Sequence, residues 1–295
     1  MNKPDTPVVG LGEILWDMLP GKKVLGGAPA NFAYYVQALG VRSFFAGSVG
    51  KDDLGKEMLK ALGRLGIDRR YIFIDEIHPT GKVDVEIDKK GKPKYVFAEN
   101  VAWDHIPFNR KMLKLARRAS VVCFGTLTQR SSVSKDSIRR FLKTTSPDCI
   151  RIFDINLRQP FFDREIIVSS LRLSNVLKLN EDELQILCRL MNLHGSQEVL
   201  LSKLMEKFQL ELIALTKGAK GSILFGRGKK SVHKGFRVKV VDTVGAGDSF
   251  SAALAVGLLK GDDLDKINAF ANRLAGFVCT QPGAIAKLPA DLKRY

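Results

Sequence analysis

The feature that most constrains the fold is a repeated order of segments after residue 121. Short apolar runs predict buried strands at 121–124, 150–153, 176–179 and 212–215, and polar residues follow each run at once. The amphipathic stretches between these runs predict helices. Strands that alternate with helices form a mostly parallel sheet with helices on both faces. The sequence therefore predicts an α/β fold whose polar residues share the sheet edge where such folds bind ligands.

One further stretch contains the candidate catalytic residues, and its sequence is Asp242-Thr-Val-Gly-Ala-Gly-Asp248-Ser-Phe250. The β-branched run Val238 to Val241 predicts a strand before it, and the small apolar residues after it predict a helix. The amides at a helix start suit a phosphate or a developing negative charge. A carboxylate there repels a bound anion, so Asp248 is better explained as a base for an attacking hydroxyl. Taken alone, the pattern also fits an ordinary helix cap.

At these residues the chain resembles the ribokinase-like (PfkB) carbohydrate kinases. Asp-Thr-x-Gly-Ala-Gly-Asp-x-Phe is similar to their C-terminal signature, and Gly26-Gly27-Ala28-Pro29-Ala30-Asn31, followed by Gly40 and Gly50, is similar to their N-terminal one. The resemblance implies a ribokinase-like fold of one kinase domain, 1–295, with a small β-sheet lid from about 12–25 and 80–104. It also implies ATP-dependent phosphorylation of a sugar, with Asp248 as base and the amides of Gly245, Ala246 and Gly247 holding the developing charge.

The resemblance places the sugar against Asp17, Gly26, Gly27 and Asn31. Trp103 either closes over the sugar or packs in a hinge, and Gln129 is expected at the sugar end. Arg158 is expected near the transferring phosphate or a negative group of the substrate. Gly10-Leu11-Gly12 does not begin a dinucleotide motif, because Leu15 stands where the third glycine belongs.

The nucleotide residues also follow from the resemblance. Thr216, Gly218 and Gly221 match a segment that contacts phosphates and ribose, and Asn272 and Gly283 match a segment that flanks adenine. Asn180 is also expected on the nucleotide side. No Walker loop occurs in the sequence, so phosphoryl transfer on a P-loop is excluded.

Two cation sites are predicted. Asn180 and Glu183 match a motif associated with Mg²⁺, which binds through water, although Glu183 also suits a helix cap. Asp242 and the turn 281–283 match a loop that holds a monovalent cation in many relatives. Lys287 either supplies an ammonium in place of that ion or faces solvent.

A change in the spacing of apolar residues, from helical to alternating, predicts a β-hairpin within the α/β pattern. Lys82–Ile87 alternates polar and apolar residues, 89–91 form a turn, and 95–97 return. Such a hairpin covers the main domain, a partner chain, or both. The family's lid at this place is often shared in a dimer, which implies a homodimer.

Charge and composition limit which binding partners the sequence predicts. The net charge is +16, but the basic residues form dispersed pairs, which favours a solvated surface that attracts ATP over specific nucleic-acid binding. No apolar run is long enough for a bilayer and no signal peptide is visible. The four isolated cysteines indicate reduced thiols, and we expect a cytoplasmic protein that does not bind membranes.

The expected acceptor is fructose, giving fructose 6-phosphate. Gly12-Glu-Ile-Leu-Trp-Asp17 together with Gly26-Gly-Ala-Pro-Ala-Asn31 looks like fructokinase-type members. The alternatives are ribose, 2-keto-3-deoxygluconate or adenosine as acceptor. A regulator that binds sugar or nucleotide without turnover is a further alternative, but it has no need of the base Asp248.

Overall fold

The structure, a computed structural model, describes residues 7–87, 93–158 and 161–293. The strands in these residues are β1 (Val8–Leu11), β2 (Leu15–Leu19), β3 (Lys22–Gly26), β4 (Ser43–Gly50), β5 (Ile72–Asp75), β6 (Lys82–Ile87), β7 (Pro93–Phe97), β8 (Val121–Phe124), β9 (Ile150–Asp154), β10 (Val176–Asn180), β11 (Leu212–Thr216), β12 (Ser222–Gly226) and β13 (Lys229–His233). The α-helices are α1 (Ala28–Ala38), α2 (Asp53–Arg64), α3 (Arg110–Arg118), α4 (Ser132–Thr144), α5 (Arg164–Leu173), α6 (Glu181–Leu190), α7 (Gln197–Phe208), α8 (Ala246–Lys260) and α9 (Leu264–Cys279).

The predicted parallel sheet is confirmed. Nine strands lie in the order β13-β12-β11-β10-β9-β8-β1-β4-β5, and the pairs from β5 to β11 are parallel. β12 and β13 are antiparallel and finish one edge. The carboxyl ends of β1, β8, β9, β10 and β11 therefore meet along one edge of the sheet.

Helices cover both faces of this sheet, as predicted. One apolar layer joins the sheet to α3, α4, α5, α6 and α7, and another joins it to α1, α8 and α9. Full burial of a side chain such as Phe250 or Leu254 stabilises the fold by about 1.5–3 kcal/mol. The second layer holds the starts of α1 and α8 next to each other.

A separate sheet has the order β3-β2-β6-β7. Its β6–β7 hairpin pairs Val83 with Phe97, as the alternating pattern predicted, and its predicted turn at 89–91 lies outside the described residues. The indole nitrogen of Trp16 in β2 donates to the carbonyl oxygen of Leu54 in α2 at 3.1 Å. This contact anchors the small sheet to the main body.

The predicted strand at Val238–Val241 is wrong. Residues 234–241 have irregular backbone, and the amide of Val241 donates to the carbonyl of Cys279 at the end of α9, at 2.8 Å. β-branched residues favour extended backbone, but a strand also needs a neighbouring ladder. Asp248 therefore does not follow a strand, and a loop held by α9 brings it to the site.

Among the described residues, no helix combines the length and the apolar composition that a membrane crossing requires.

Candidate active site

The starts of α1 and α8 bring Asn31 and Asp248 together. Asn31 Nδ2 donates to Asp248 Oδ2 at 2.8 Å, across 217 residues of sequence. Asn31 is 3% exposed, and its Oδ1 atom is buried without a partner in the described part of the chain. A buried carbonyl oxygen without a donor is costly, so this position fits a hydroxyl supplied by a ligand.

The pKa of Asp248 is raised from its ordinary 3.8 to about 6. Burial is the main cause, and the charge of Asp154 adds to it, whereas the hydrogen bond from Asn31 and the charge of Lys178 oppose it. At neutral pH the group is still a carboxylate, but it is more basic than an ordinary aspartate. Such a group is suited to accept a proton from an alcohol.

A turn leads into α8 immediately before Asp248, and we call Gly245–Asp248 the anion turn. Gly245 has a φ of 80°, and a β-carbon there would lie 2.3 Å from the carbonyl oxygen of Ala284, so only glycine fits. Of the three amides predicted to hold charge, that of Ala246 donates to the carbonyl of Thr243 at 3.3 Å, whereas those of Gly245 and Gly247, and also that of Asp248, have no acceptor among the described residues. The amides without an acceptor can bind an anion at the positive end of the helix dipole.

Lys178 lies beneath the anion turn, and no role for it was predicted from the sequence. Its ammonium nitrogen is 3.0 Å from Asp154 Oδ1 on the neighbouring strand and would lie 2.9 Å from a β-carbon at Gly247. The second carboxylate oxygen of Asp154 accepts from Ser251 Oγ at 2.9 Å. A signal was present in the sequence, because Lys178 is the only charged residue in the otherwise apolar run 176–179.

Among the residues predicted to bind sugar, Asp17 faces the start of α1. A β-carbon at Gly26 would lie 2.6 Å from Asp17 Oδ2, and Gly27 begins the helix with a φ of 115°. Burial raises the pKa of Asp17 to about 6, and the charge of Arg158 opposes the rise. Asp17, Gly26 and Gly27 therefore lie together at the start of α1.

Glu13 is a second acidic residue on this side that sequence reasoning missed. It is 3% exposed, accepts from Thr128 Oγ1, and its pKa is raised by burial and lowered by Thr128 and Arg158. The signal was its place directly after the first buried strand, where parallel sheets present ligand-binding residues. Arg158 itself is exposed, with Glu13 and Asp17 both within reach of its charge.

Two predicted sugar residues are packed into the interior instead of being presented to the cleft. Trp103 is 1% exposed and stacks under the guanidinium of Arg130, 3.9 Å from the ring centre, which is the hinge-packing alternative. Gln129 is 1% exposed, and its Nε2 atom donates to Gly125 O and Ser170 Oγ, both at 2.8 Å. Contact between either side chain and a sugar would require these packed groups to move.

Three of the predicted nucleotide residues follow or end β11, four strands away from β1 in the sheet. Thr216 ends β11 beside Asn180, Gly218 begins a short 3-10 turn, and Gly221 closes it by accepting from the amide of Lys217 at 2.7 Å. The space around a β-carbon at Gly218 is open to 4 Å, so its backbone is accessible. Asn272 differs, because its Nδ2 atom donates to Ser222 Oγ at 2.7 Å inside the protein.

Asn180 and Glu183 form a helix cap at the start of α6. The Asn180 side chain accepts from the Glu183 amide, the Glu183 carboxylate accepts from the Asn180 amide, both at 2.8 Å, and it also accepts from Leu157 N at 3.1 Å. The capping alternative is therefore present in the structure. No group of three metal-ligating side chains occurs in the described ranges, so any Mg²⁺ at Glu183 would be held largely through water.

Asp242 ties the loop before the anion turn to the C-terminal turn. Its two carboxylate oxygens accept from the amides of Val244 and Gly283, each at 3.0 Å. This arrangement joins the segments predicted to form a monovalent cation loop. Lys287 is exposed to solvent, and the ammonium that lies against the anion turn is that of Lys178.

Comparison with known proteins connects this geometry to one family. The sequence pattern of the pfkB family of carbohydrate kinases matches residues 20–291, which confirms the resemblance. Fructokinase of Escherichia coli is 29% identical over 301 residues, covering 95% of each chain.

Solved structures agree over nearly the whole length. An uncharacterized sugar kinase of Pyrococcus horikoshii, in complex with ATP, superposes with a TM-score of 0.81 at 28% identity, covering 94% of this chain and 93% of its own. A double mutant of the Vibrio cholerae O395 fructokinase, bound to fructose, ADP and potassium, superposes with a TM-score of 0.81 at 25% identity and covers 96% of this chain and 95% of its own. These superpositions confirm the predicted fold.

Proposed function

This chain belongs to the pfkB family of carbohydrate kinases, and on that premise we propose that it transfers the terminal phosphoryl group of ATP to fructose, giving fructose 6-phosphate. The observation that carries the proposal is the 2.8 Å contact between Asn31 and Asp248. It joins a buried amide with an unpartnered oxygen to a carboxylate of raised pKa, at the mouth of an anion-binding turn. A sugar hydroxyl at that point would meet both a binding group and a base.

The reaction needs a base and a site for developing charge. The primary hydroxyl of the sugar gives its proton to Asp248 as its oxygen forms a bond to phosphorus. The bond from phosphorus to the bridging oxygen breaks, and ADP leaves. The amides of Gly245, Gly247 and Asp248 donate to the phosphoryl oxygens, whose charge develops in the transition state.

The charges around Arg158 favour a neutral sugar over a sugar acid. An acidic substrate would need a cation free to pair with its carboxylate. The charge of Arg158 already acts on Asp17 and Glu13, which lie on the same side of the cleft. The relatives named fructokinase in Escherichia coli and Vibrio cholerae support fructose as the acceptor.

ATP is proposed to bind between the Gly218 turn and the C-terminal turn at Gly283. The loop after β13 carries an exposed apolar surface there: Phe236, Val238, Val240, Val241 and Val244 are 37–61% exposed. A β-carbon at Gly276 would lie 3.7 Å from Val238 Cγ1, so this surface lies against α9 and could cover an adenine base. The structure of the Pyrococcus horikoshii sugar kinase in complex with ATP supports this nucleotide.

Mg²⁺ fits the charge of the site. Asp154, Glu183 and Asp248 surround one buried ammonium, that of Lys178, so carboxylates outnumber cations here. Glu183 would hold the ion through water, and the ion would supply positive charge to offset that of the phosphates.

We propose that the small sheet acts as a lid on this single kinase domain and that it also serves in a homodimer. Val24 of β3 would lie 3.8 Å from a β-carbon at Gly283, so the sheet reaches across the cleft to the C-terminal turn. Asp17 is carried by the same sheet. Its closure over bound sugar would exclude water from the phosphoryl group.

A substrate panel tests the proposal. The purified protein would be supplied with ATP, Mg²⁺ and fructose, ribose, 2-keto-3-deoxygluconate or adenosine, and ADP release and sugar phosphate would both be measured. We expect the highest kcat/KM with fructose. A higher value for the sugar acid would overturn the assignment of fructose, and no turnover with any acceptor would overturn the kinase itself.

A further inference from the structure

Lys178 is a charged residue in the middle of a buried strand, and the reaction proposed above does not yet use it. Its neighbours in β10 are apolar, and its side chain is about 10% exposed. An ammonium in such surroundings is costly unless it is paired. The groups that pair with the Lys178 ammonium must therefore be identified.

Asp154 pairs with only one of the three N–H donors of the Lys178 ammonium. Residues 178 and 154 are opposite each other in the parallel pair of β10 and β9, and Nζ lies 3.0 Å from Asp154 Oδ1. Asp154 Oδ1 is the one acceptor of this ammonium in the described part of the chain. An ammonium has three N–H bonds, so two remain without a protein acceptor.

The ammonium lies against the anion turn. A β-carbon at Gly247 would be 2.9 Å from Nζ, so the ammonium packs directly on the backbone that carries the amide of Gly247, which has no acceptor among the described residues. The same ammonium acts on the charges of Glu183 and Asp248, which places it between the proposed nucleotide side and the base. Burial acts to lower its pKa, but the nearby carboxylates of Asp154 and Glu183 raise it above the ordinary value, so the group is charged at neutral pH.

We propose that Lys178 is a catalytic residue whose ammonium donates to an oxygen of the phosphoryl group during transfer. The inference rests on the proposed kinase function and deepens it. As the bond to the bridging oxygen of ATP breaks and the bond to the sugar oxygen forms, negative charge spreads over the phosphoryl oxygens. Lys178, Gly247 and Asp248 present donors from one side, and Asp154, backed by Ser251, fixes the ammonium there.

Replacement of Lys178 alone would leave Asp154 buried without its partner and could unfold the protein. The test therefore compares Asp154→Asn with the double variant Asp154→Asn/Lys178→Met, in which the pair is removed as a pair. For each we would measure thermal unfolding, kcat with ATP and fructose, and the Kd of ATP by equilibrium titration. We expect both variants to fold, and the double variant to lose about 10²–10³-fold in kcat relative to Asp154→Asn with less than about fivefold change in Kd.

A structural role for Lys178 predicts a different pattern. If the double variant kept kcat within about tenfold of Asp154→Asn, or if Kd rose by as much as kcat fell, the proposal would be overturned. Failure of the fructose assignment is distinguishable, since wild-type protein would then show no turnover of fructose before any substitution was made.

A second measurement does not depend on the variants folding. A crystal structure of the wild-type protein with ADP, fructose and aluminium fluoride would show the position of Nζ relative to a planar phosphoryl mimic. We expect a fluoride within about 3.2 Å of Lys178 Nζ. A separation beyond about 4.5 Å, with the mimic held at the anion turn, would overturn the contact.

Discussion

At the scale of single residues, Asp248 carries its charge where the fold disfavours it. Its pKa of about 6, against an ordinary 3.8, means that the folded protein binds a proton more tightly at this site than the unfolded chain does. The ionised carboxylate therefore lowers stability above pH 6, and this penalty disappears as the pH falls toward 3.8. A base that is held ready for catalysis makes the native state less stable.

The first prediction is that Asp248→Asn raises the stability of the protein. The amide removes the buried charge and its repulsion with Asp154, so the free energy of unfolding at pH 7.5 should rise by roughly 1–3 kcal/mol. Thermal denaturation at pH 7.5 and at pH 5 would measure the gain, which should shrink at the lower pH. Asp265→Asn makes the same change at an exposed position in the first turn of α9 and should not stabilise. Equal or lower stability of Asp248→Asn at pH 7.5 would contradict the account.

Asp17 gives a prediction about binding and pH. Its pKa of about 6 means that it loses its charge as the pH falls through that value, and with the charge it loses part of its power to accept from sugar hydroxyls. Fructose affinity measured by calorimetry should therefore fall below pH 6. Asp17→Ala should weaken fructose binding by on the order of 1–3 kcal/mol and leave nucleotide affinity unchanged.

Asp84→Ala is a matched control for this binding experiment. Asp84 of β6 pairs with Met18 of β2, which is the neighbour of Asp17 in that strand, so Asp84 lies on the opposite face of the small sheet from Asp17. Its replacement should leave fructose affinity unchanged. Equal losses in the two variants would show that general charge, and not contact with sugar, governs binding.

At the scale of elements, the small sheet is the part that must move if it is a lid. Hydrogen exchange in β6 and β7 should slow when fructose and a non-hydrolysable ATP analogue bind together, because closure protects the hairpin. Exchange in α3, which belongs to the layer formed by α3 to α7, is the internal control and should not change. Identical exchange of the hairpin with and without ligands would make it a static element.

The elements also show what the sequence could and could not foretell. The strands that end at Phe124, Asp154, Asn180 and Thr216 were predicted from apolar runs, because burial on both faces leaves a clear signal. The run Val238–Val241 has the same composition, yet it lacks a neighbouring strand, and no local pattern reports that. The contact of Lys178 with Asp154 was missed for a related reason, since it depends on which strand lies beside β10.

At the scale of the whole molecule, two sequence motifs 217 residues apart predicted one site, and Asn31 and Asp248 do touch. The two motifs could predict a shared site because each of them fixes the start of a helix. They did not predict that Trp103 and Gln129 face inward, because the packing of Arg130 and Ser170 around them comes from the tertiary structure.

The net charge of +16 predicts a salt effect that separates the two substrates. ATP is strongly anionic and fructose is neutral, so only ATP is attracted by the field of the protein. Between about 20 mM and about 200 mM choline chloride, kcat/KM for ATP should fall severalfold while that for fructose should change little. An equal effect on both would point to a change in the protein itself.

The central claim is that Asp248 removes the proton from the sugar hydroxyl. The most direct measurement is kcat of Asp248→Asn with ATP and fructose, beside wild type and Asp265→Asn, with fructose and ATP affinities measured on the same preparations. The account predicts a loss of about 10²–10⁴-fold in kcat for Asp248→Asn alone, with both ligands still bound. Turnover within tenfold of wild type by a folded Asp248→Asn protein would contradict it.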